Sequence, residues 1–347
     1  MTKLLQRTSN PTIQGDQVIW HYHGNAQPCL MGDFNGWDAQ NPLHFQSMGK
    51  ASWRACLTFP PDAYMEYALL INGKRKVDPF NKRKVRNGIG DWNNYFCMPE
   101  YRDDRGWHEF PWQTVFNRES RVIRDSLRLS NGKRRVNYYI PRTGGDFPLL
   151  VVLDGQEYAR YGHVVQIIAS LMSRDEIAPV ALALVENIHR NRFMEYACND
   201  GTVSFLAHNV VDTARPLIPL LDIDKHPGAY GILGASMGGL MAFYTAMRTS
   251  TVFGQVLCQA GAFKMFGDAF SIYEVLDGMP SCPVNIWMNV GRFDFLLEEN
   301  KRMVEVLQKK GYQVAFKLNN GGHNYTTWRN DLYVGLKKLF PSNGNKR

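Results

Sequence analysis

Hydrophobic and polar positions follow one rhythm up to about residue 98 and another beyond residue 120. In the first stretch apolar residues recur at every second position in short segments. Gln17 to Tyr22 alternates, Cys29-Leu30-Met31 follows a Gly24-Asn25 turn signal, Ser52 to Phe59 alternates again, and Tyr64 to Ile71 runs extended as far as Asn72-Gly73. Asn-Gly between two extended segments predicts a tight hairpin, because both residues accept positive φ at little cost. Tyr95-Phe96-Cys97-Met98 closes the set. Short, evenly spaced strands with turns between them predict a small β-sandwich.

From Arg121 the pattern changes. Arg121 to Leu129 and Arg134 to Ile140 alternate around Asn131-Gly132 and predict one more hairpin. Then come unbroken apolar runs at Leu149 to Leu153, Val180 to Val185, Tyr230 to Leu233, Val256 to Cys258 and Val284 to Val290. A strand apolar at every position is one covered on both faces. Between these runs, Val164 to Leu171 has helical spacing, as does Phe205 to Leu217 through Leu206, Val210, Val211 and Ala214; Met303, Val306 and Leu307 mark a later helix. Strands alternating with helices predict a mostly parallel central sheet flanked by helices.

The length, 347 residues, fits two domains, since single cores tend to split beyond ~250–300 residues. The expected division is a β-sandwich over residues 1–98, a polar and aromatic linker over 99–120, and an α/β domain over 121–347. No apolar run approaches the ~20 residues of a membrane span. Residues 1–16 lack the apolar stretch of a secretory signal, so a cytoplasmic protein is expected if the chain begins there. The six cysteines are scattered without a CxxC pair, which predicts buried free thiols and neither a disulfide framework nor a zinc site. His21 and His23 share one strand face, but no third ligand stands near them, and no metal is expected. Net charge is +8, with basic clusters at Lys74-Arg75-Lys76 and at Lys82-Arg83-Lys84 with Arg86. Without a recognition motif these do not make a nucleic-acid binder; they read as a solvated loop, or as a positive field that draws an anionic small substrate.

The sharpest chemical signal is Gly234-Ala235-Ser236-Met237-Gly238, a G-x-S-x-G between the apolar run ending at Leu233 and the helix-like Gly239 to Tyr244. The turn strains the serine backbone, so the residues two before and two after it must be almost free of side chain. The hydroxyl then sits at a helix N-terminus, where the dipole favours a developing oxyanion. Among the histidines only His323, in Gly321-Gly322-His323-Asn324, follows the motif, as the order nucleophile, acid, base requires. The expected acid is Asp294, which follows the Val284 to Val290 run through Gly291-Arg292-Phe293; Asp268, Asp277, Glu298 and Glu299 are its rivals. Two backbone N–H groups should form the oxyanion hole. One is that of Met237; the other comes from the loop Asp154-Gly155-Gln156, with Gln156 slightly favoured over Gly155 and Asp154 ordering the loop.

Two resemblances join these residues. Met31 to Trp37, Trp53, Tyr64 to Tyr67, Asn72-Gly73 and Val77 to Asn81 look like an early-set immunoglobulin-like module of the glycogen-binding and isoamylase N-terminal type. In that family some members bind glucans and others use the module as a scaffold. Leu153 to Gln156, Arg192 to Tyr196, Gly234 to Gly239 and Gly321-Gly322-His323 with Trp328-Arg329 resemble the putative-esterase branch of the α/β-hydrolases. That branch includes enterochelin (enterobactin) esterases, feruloyl and acetylxylan esterases, and acyltransferases. The resemblance implies an α/β-hydrolase fold and a serine carboxylic-ester hydrolase of Ser-His-Asp type acting on a small-molecule ester without a cofactor, with an enterochelin-like substrate favoured. Arg192 and Glu195 are expected either at the substrate cleft or in a structural ion pair. The alternatives are a feruloyl- or acetylxylan-type carbohydrate esterase, and a glucan-binding protein whose hydrolase domain is inactive.

Overall fold

A computed structural model describes residues 10–88, 90–102, 107, 109–124, 133–188, 190–265 and 267–342. Two units emerge from the way residues cluster. One takes the chain up to Asp103 together with two later loops, Gly291–Leu297 and Leu318–Thr327; the other takes the remainder.

The first unit is an antiparallel β-sandwich region. One sheet pairs Thr12–Gln14 with Gln17–His23, then Ser52–Thr58, then Gln46–Ser47. The other runs Leu43–His44, Pro28–Gly32, Tyr64–Ile71, Trp92–Cys97, Lys84–Arg86, with Lys74–Lys76 added beside Tyr64–Ile71. Alternation turns Val18, Trp20, Met65, Tyr67, Leu69 and Phe96 into one buried cluster. Trp20 sits at its centre, 5.5 Å from Phe96 and 5.7 Å from Tyr67 between ring centroids, edge to face in both pairs. The predicted hairpin forms at Asn72 (φ 51) and Gly73 (φ 71), the double positive-φ turn that suits strand twist. The basic clusters are not simple loops: Lys74–Lys76 and Lys84–Arg86 are short strands with their lysines exposed, a placement that discourages edge-to-edge pairing.

Among the described residues, the second unit carries an eight-stranded mixed sheet. Its strands are β1 Phe116–Arg124, β2 Lys133–Pro141, β3 Leu149–Val152, β4 Ala181–Val185, β5 Tyr230–Ala235, β6 Phe253–Gln259, β7 Asn285–Gly291 and β8 Val314–Asn319. The spatial order is β1-β2-β4-β3-β5-β6-β7-β8. β1 and β2 form an antiparallel hairpin, and β2 meets β4 antiparallel. The turn expected at Asn131-Gly132 lies outside the described residues. From β4 through β7 every pairing is parallel. β1 begins within the segment that composition suggested as a linker. The apolar runs are buried as expected: β3, β4 and β5 are buried at every residue. Helix Asp200–Ala214 passes through a π segment at Phe205–Val210. Of the six free cysteines only Cys258 is fully buried. No described helix is long and apolar enough to cross a membrane. This is an α/β-hydrolase fold preceded by a β-sandwich region.

The chain leaves β3 toward β4 on one side and places β5 on the other. The C-terminal ends of β3 and β5 therefore form a topological switch point, where ligands collect in open α/β sheets.

Candidate active site

Ser236 stands directly after β5 with φ 57 and ψ −126, as the N-cap of helix Met237–Arg248. Positive φ in a serine is strained, and the neighbours hold it. Its N–H donates to Gln259 O at 2.9 Å, and its own carbonyl accepts from Leu240 N and Ala262 N, each at 3.0 Å. The flanking glycines have steric reasons. A Cβ on Gly234 would sit against the Gly238 carbonyl, and one on Gly238 would lie 2.9 Å from an Asp154 carboxylate oxygen. The elbow and the turn after β3 are thus neighbours. Met237 opens its helix, so its N–H has no acceptor within that helix.

The turn after β3 is built around Asp154. Its backbone is left-handed, φ 52 and ψ 44, and it is the N-cap of helix Gly155–Arg160, in which Gln156 is the second residue. Gly155 lies against β4 so closely that a Cβ would come 2.6 Å from the Leu184 carbonyl carbon. The Asp154 carboxylate accepts from Arg192 Nε at 2.7 Å, Arg192 Nη2 at 2.6 Å and Asn187 Nδ2 at 2.6 Å. Its backbone N–H donates to Tyr196 Oη at 3.3 Å. The Gln156 amide is engaged both ways with the backbone of Asn187, donating at 3.3 Å and accepting at 3.0 Å. Burial, followed by the negative charge of Asp154, pushes the Glu157 carboxyl up to about 7. Asp154 therefore orders this loop. Tyr196 and Asn187, the latter singled out by no local motif, complete the set.

Arg192 is thus an ion-pair partner of Asp154, with a quarter of its side chain exposed (26%). Glu195 is fully buried and pairs with Arg134 at 2.9 Å. Of the two roles expected for Glu195, the structural ion pair is the one this geometry carries. Removing one member of a buried pair strands the other charge, at a cost of roughly 3–5 kcal/mol. Glu195→Ala is therefore expected to lower stability by about that much in denaturant titration; an unchanged midpoint would refute it.

Asp294 and His323 lie on the two loops that belong to the first unit, after β7 and β8 respectively. His323 Nδ1 is 3.0 Å from Asp294 Oδ1 and 2.9 Å from Oδ2. Asp294 is buried, and its Oδ1 also accepts from Leu296 N at 2.9 Å. A carboxylate only accepts, so Nδ1 carries the proton and Nε2 is left to accept one. The Phe295 ring lies 4.5 Å from the imidazole between centroids. The rival acids are elsewhere: Glu298 pairs with Lys301, Glu299 accepts from Tyr273 Oη, Asp277 lies in helix Ile272–Gly278, and Asp268 is in a short exposed strand.

The polar members of the sandwich motifs face inward. Asp78 is buried among Asn10 Nδ2 (2.6 Å), Tyr67 Oη (2.8 Å) and the backbone of Phe80 (2.9 Å). Asn81 is buried and donates to Tyr67 Oη at 3.0 Å. Asp33 is buried as well, accepting from Trp37 Nε1 at 3.0 Å, Glu66 N at 2.8 Å and Asn324 Nδ2 at 3.0 Å. Burial holds the Asp33 and Glu66 carboxyls above the usual carboxylate range; the Asp33 charge adds to the rise at Glu66, and the Asp294 charge adds to the rise at Asp33. Among the described residues no group of three or more His, Cys, Asp or Glu could hold a metal ion.

A strained serine at a strand–helix elbow, on a sheet of this order, places the protein among the α/β-hydrolases. The chain belongs to the family described as Putative esterase, whose model matches residues 126–339. It is 25% identical over 348 residues to the iron(III) enterobactin esterase of Escherichia coli O6:H1 (strain CFT073), covering 93% of this chain and 84% of that protein. The crystal structure of the enterobactin esterase from Shigella flexneri in the presence of 2,3-dihydroxy-N-benzoyl-serine aligns with a TM-score of 0.75 at 20% identity, over 96% of this chain and 97% of that one. A ferulic acid esterase aligns with a TM-score of 0.55 at 18% identity, over 65% of this chain and 98% of its own. The protein is a carboxylic ester hydrolase.

Proposed function

We propose that the protein hydrolyses its ester through an acyl-enzyme, with Ser236 as nucleophile, His323 as base and Asp294 as the group that orients the imidazole. The observation carrying this reading is the Ser236 backbone at φ 57 and ψ −126. Such strain costs on the order of 1–3 kcal/mol and persists where the surroundings over-determine it, typically at functional sites. Two further features support it. The three residues follow β5, β7 and β8 in the order nucleophile, acid, base. His323 also has its Nδ1 on the Asp294 carboxylate, 2.9 Å from Oδ2. In the reaction His323 Nε2 takes the hydroxyl proton as Ser236 Oγ bonds to the carbonyl carbon. The N–H groups of Met237 and Gln156, with Gly155 the alternative to the latter, stabilise the oxyanion. Collapse breaks the ester C–O bond, and His323 passes its proton to the departing alcohol. Water then attacks the acyl-enzyme, His323 acting as base again, and frees the acid and Ser236. No cofactor takes part in these steps. Arg192, partly exposed, is the rim residue we assign to substrate contact; Glu195 we assign to structure.

For substrate we propose a catecholate ester of the enterobactin type. Similarity to the enterobactin esterase extends over 93% of this chain, whereas the ferulic acid esterase aligns with 65% of it. A net charge of +8 suits an anionic ester. Residues 1–98 would then serve as an early-set module, 99–120 as a linker and 121–347 as the catalytic domain. The test compares kcat/KM for a triserine catecholate lactone, iron-free and iron-loaded, with that for feruloylated and acetylated sugars. The lactone should win by at least an order of magnitude; preference for the sugars would overturn the assignment.

A further inference from the structure

We infer that Asp33 of the β-sandwich region is a positioning residue for the reaction: it clamps the loop that presents His323. The inference rests on the assignment of His323 as the catalytic base. Asp33 lies on the short helical turn Asp33–Asn35, directly after the strand Pro28–Gly32. Its side chain is buried. Oδ2 accepts from Asn324 Nδ2 at 3.0 Å, across 291 residues of sequence. Asn324 in turn accepts from Thr327 N at 2.8 Å through Oδ1, in the manner of a cap on helix Tyr325–Leu339. The residue next to the base is thereby held from two sides. The residue on the other side, Gly322, lies so near Asp33 that a Cβ there would coincide with the carboxyl group. Trp37 Nε1 and Glu66 N hold the Asp33 carboxylate from the sandwich side at 3.0 and 2.8 Å.

The rest of the pair is anchored to the same unit. Tyr64 N donates to Asn320 O at 3.3 Å, and Asn320 Nδ2 donates to Asp62 Oδ1 at 2.7 Å. On the acid side, Phe293 packs against the buried sandwich cluster, 5.5 Å from Phe59 between ring centroids. The sandwich therefore holds the acid loop through an apolar plug and the base loop through a carboxylate clamp. The Asp33-Phe34-Asn35-Gly36-Trp37 stretch does internal work here, with its carboxylate turned onto the histidine loop. A displacement of about 1 Å at a reacting group can cost on the order of 10²-fold in rate, which is the effect to look for.

The test uses the full-length protein and p-nitrophenyl butyrate. Asp33→Asn keeps the shape but leaves a single acceptor oxygen for three donors, Asn324 Nδ2, Glu66 N and Trp37 Nε1, and sets an amide NH2 against whichever the oxygen does not face. The expected result is a fall in kcat of about 100-fold, with KM within twofold and the thermal midpoint still that of a folded protein. A folding defect alone would lower the active fraction without this split once protein is normalised by folded content. Should Asp33→Asn fail to fold, Asn324→Ser tests the other end of the same bond, because serine can still cap Thr327 but cannot reach Asp33; its kcat should fall at least tenfold. A kcat within threefold of wild type in a folded variant would overturn the clamp. His323→Ala is run beside them: its retention of activity would overturn the base assignment, whereas its loss beside a fully active Asp33→Asn would overturn the clamp alone.

Discussion

Ser236→Ala is expected to lower kcat for p-nitrophenyl butyrate by roughly 10⁴- to 10⁶-fold. The loss is large because the covalent step disappears, and only the oxyanion donors and substrate binding are left to act on direct attack by water. The fold should survive. The Ser236 backbone bonds to Gln259, Leu240 and Ala262 through N and O, and alanine keeps all of these hydrogen bonds. Ser236→Gly should be equally inactive but more stable, by on the order of 1 kcal/mol, since removing the Cβ relieves the positive-φ strain. Steady-state kinetics with thermal melts of both variants check this. Turnover of the alanine variant within tenfold of wild type would remove Ser236 from the mechanism.

Asp294→Asn is expected to lower kcat by about 10⁴-fold at neutral pH. Both Asp294 oxygens lie within 3.0 Å of His323 Nδ1. With an amide there, the group facing Nδ1 can be a donor, which favours the imidazole tautomer whose Nε2 already carries a proton. That tautomer cannot take the proton of Ser236. Leu296 N would still find an acceptor in the amide oxygen, so the loop should hold its shape. KM should change little, because the lost interaction acts on proton transfer and not on binding. The measurement is kcat and KM across pH. A variant with unchanged kcat would reassign the acid, with Glu298 and Glu299 as the residues to examine next.

How much of this was legible before the fold was known depended on distance along the chain. The nucleophile elbow spans five residues, and its whole signature is local: an apolar strand, two glycines at fixed offsets, a helix. Each glycine proved to answer a contact within the same turn or with its immediate neighbour, the Gly238 carbonyl for Gly234 and Asp154 for Gly238. Buried strands were legible for the same reason, since apolarity at every position of β3 to β5 follows from cover on both faces. Asp294 and His323 enter the proposed mechanism from the sequence through chain order, nucleophile then acid then base.

Other features were out of reach. Lys74–Lys76 and Lys84–Arg86 read as loop from their charge, because an exposed edge strand draws its order from a partner's backbone and not from its own side chains. The partners of Arg192 and Glu195 could not be named, since Asp154 and Arg134 lie far from them in sequence and nearby only in the fold. Asp33 is the sharpest case. Within its own segment it looked like part of a sugar-binding motif, and nothing local relates it to His323. Local pattern determined the strands, the helices and the elbow, because hydrophobic period and turn chemistry act over a few residues. Only the tertiary structure decided which carboxylate holds which loop, because a buried charge takes its partner from whatever the packed chain brings within about 3 Å.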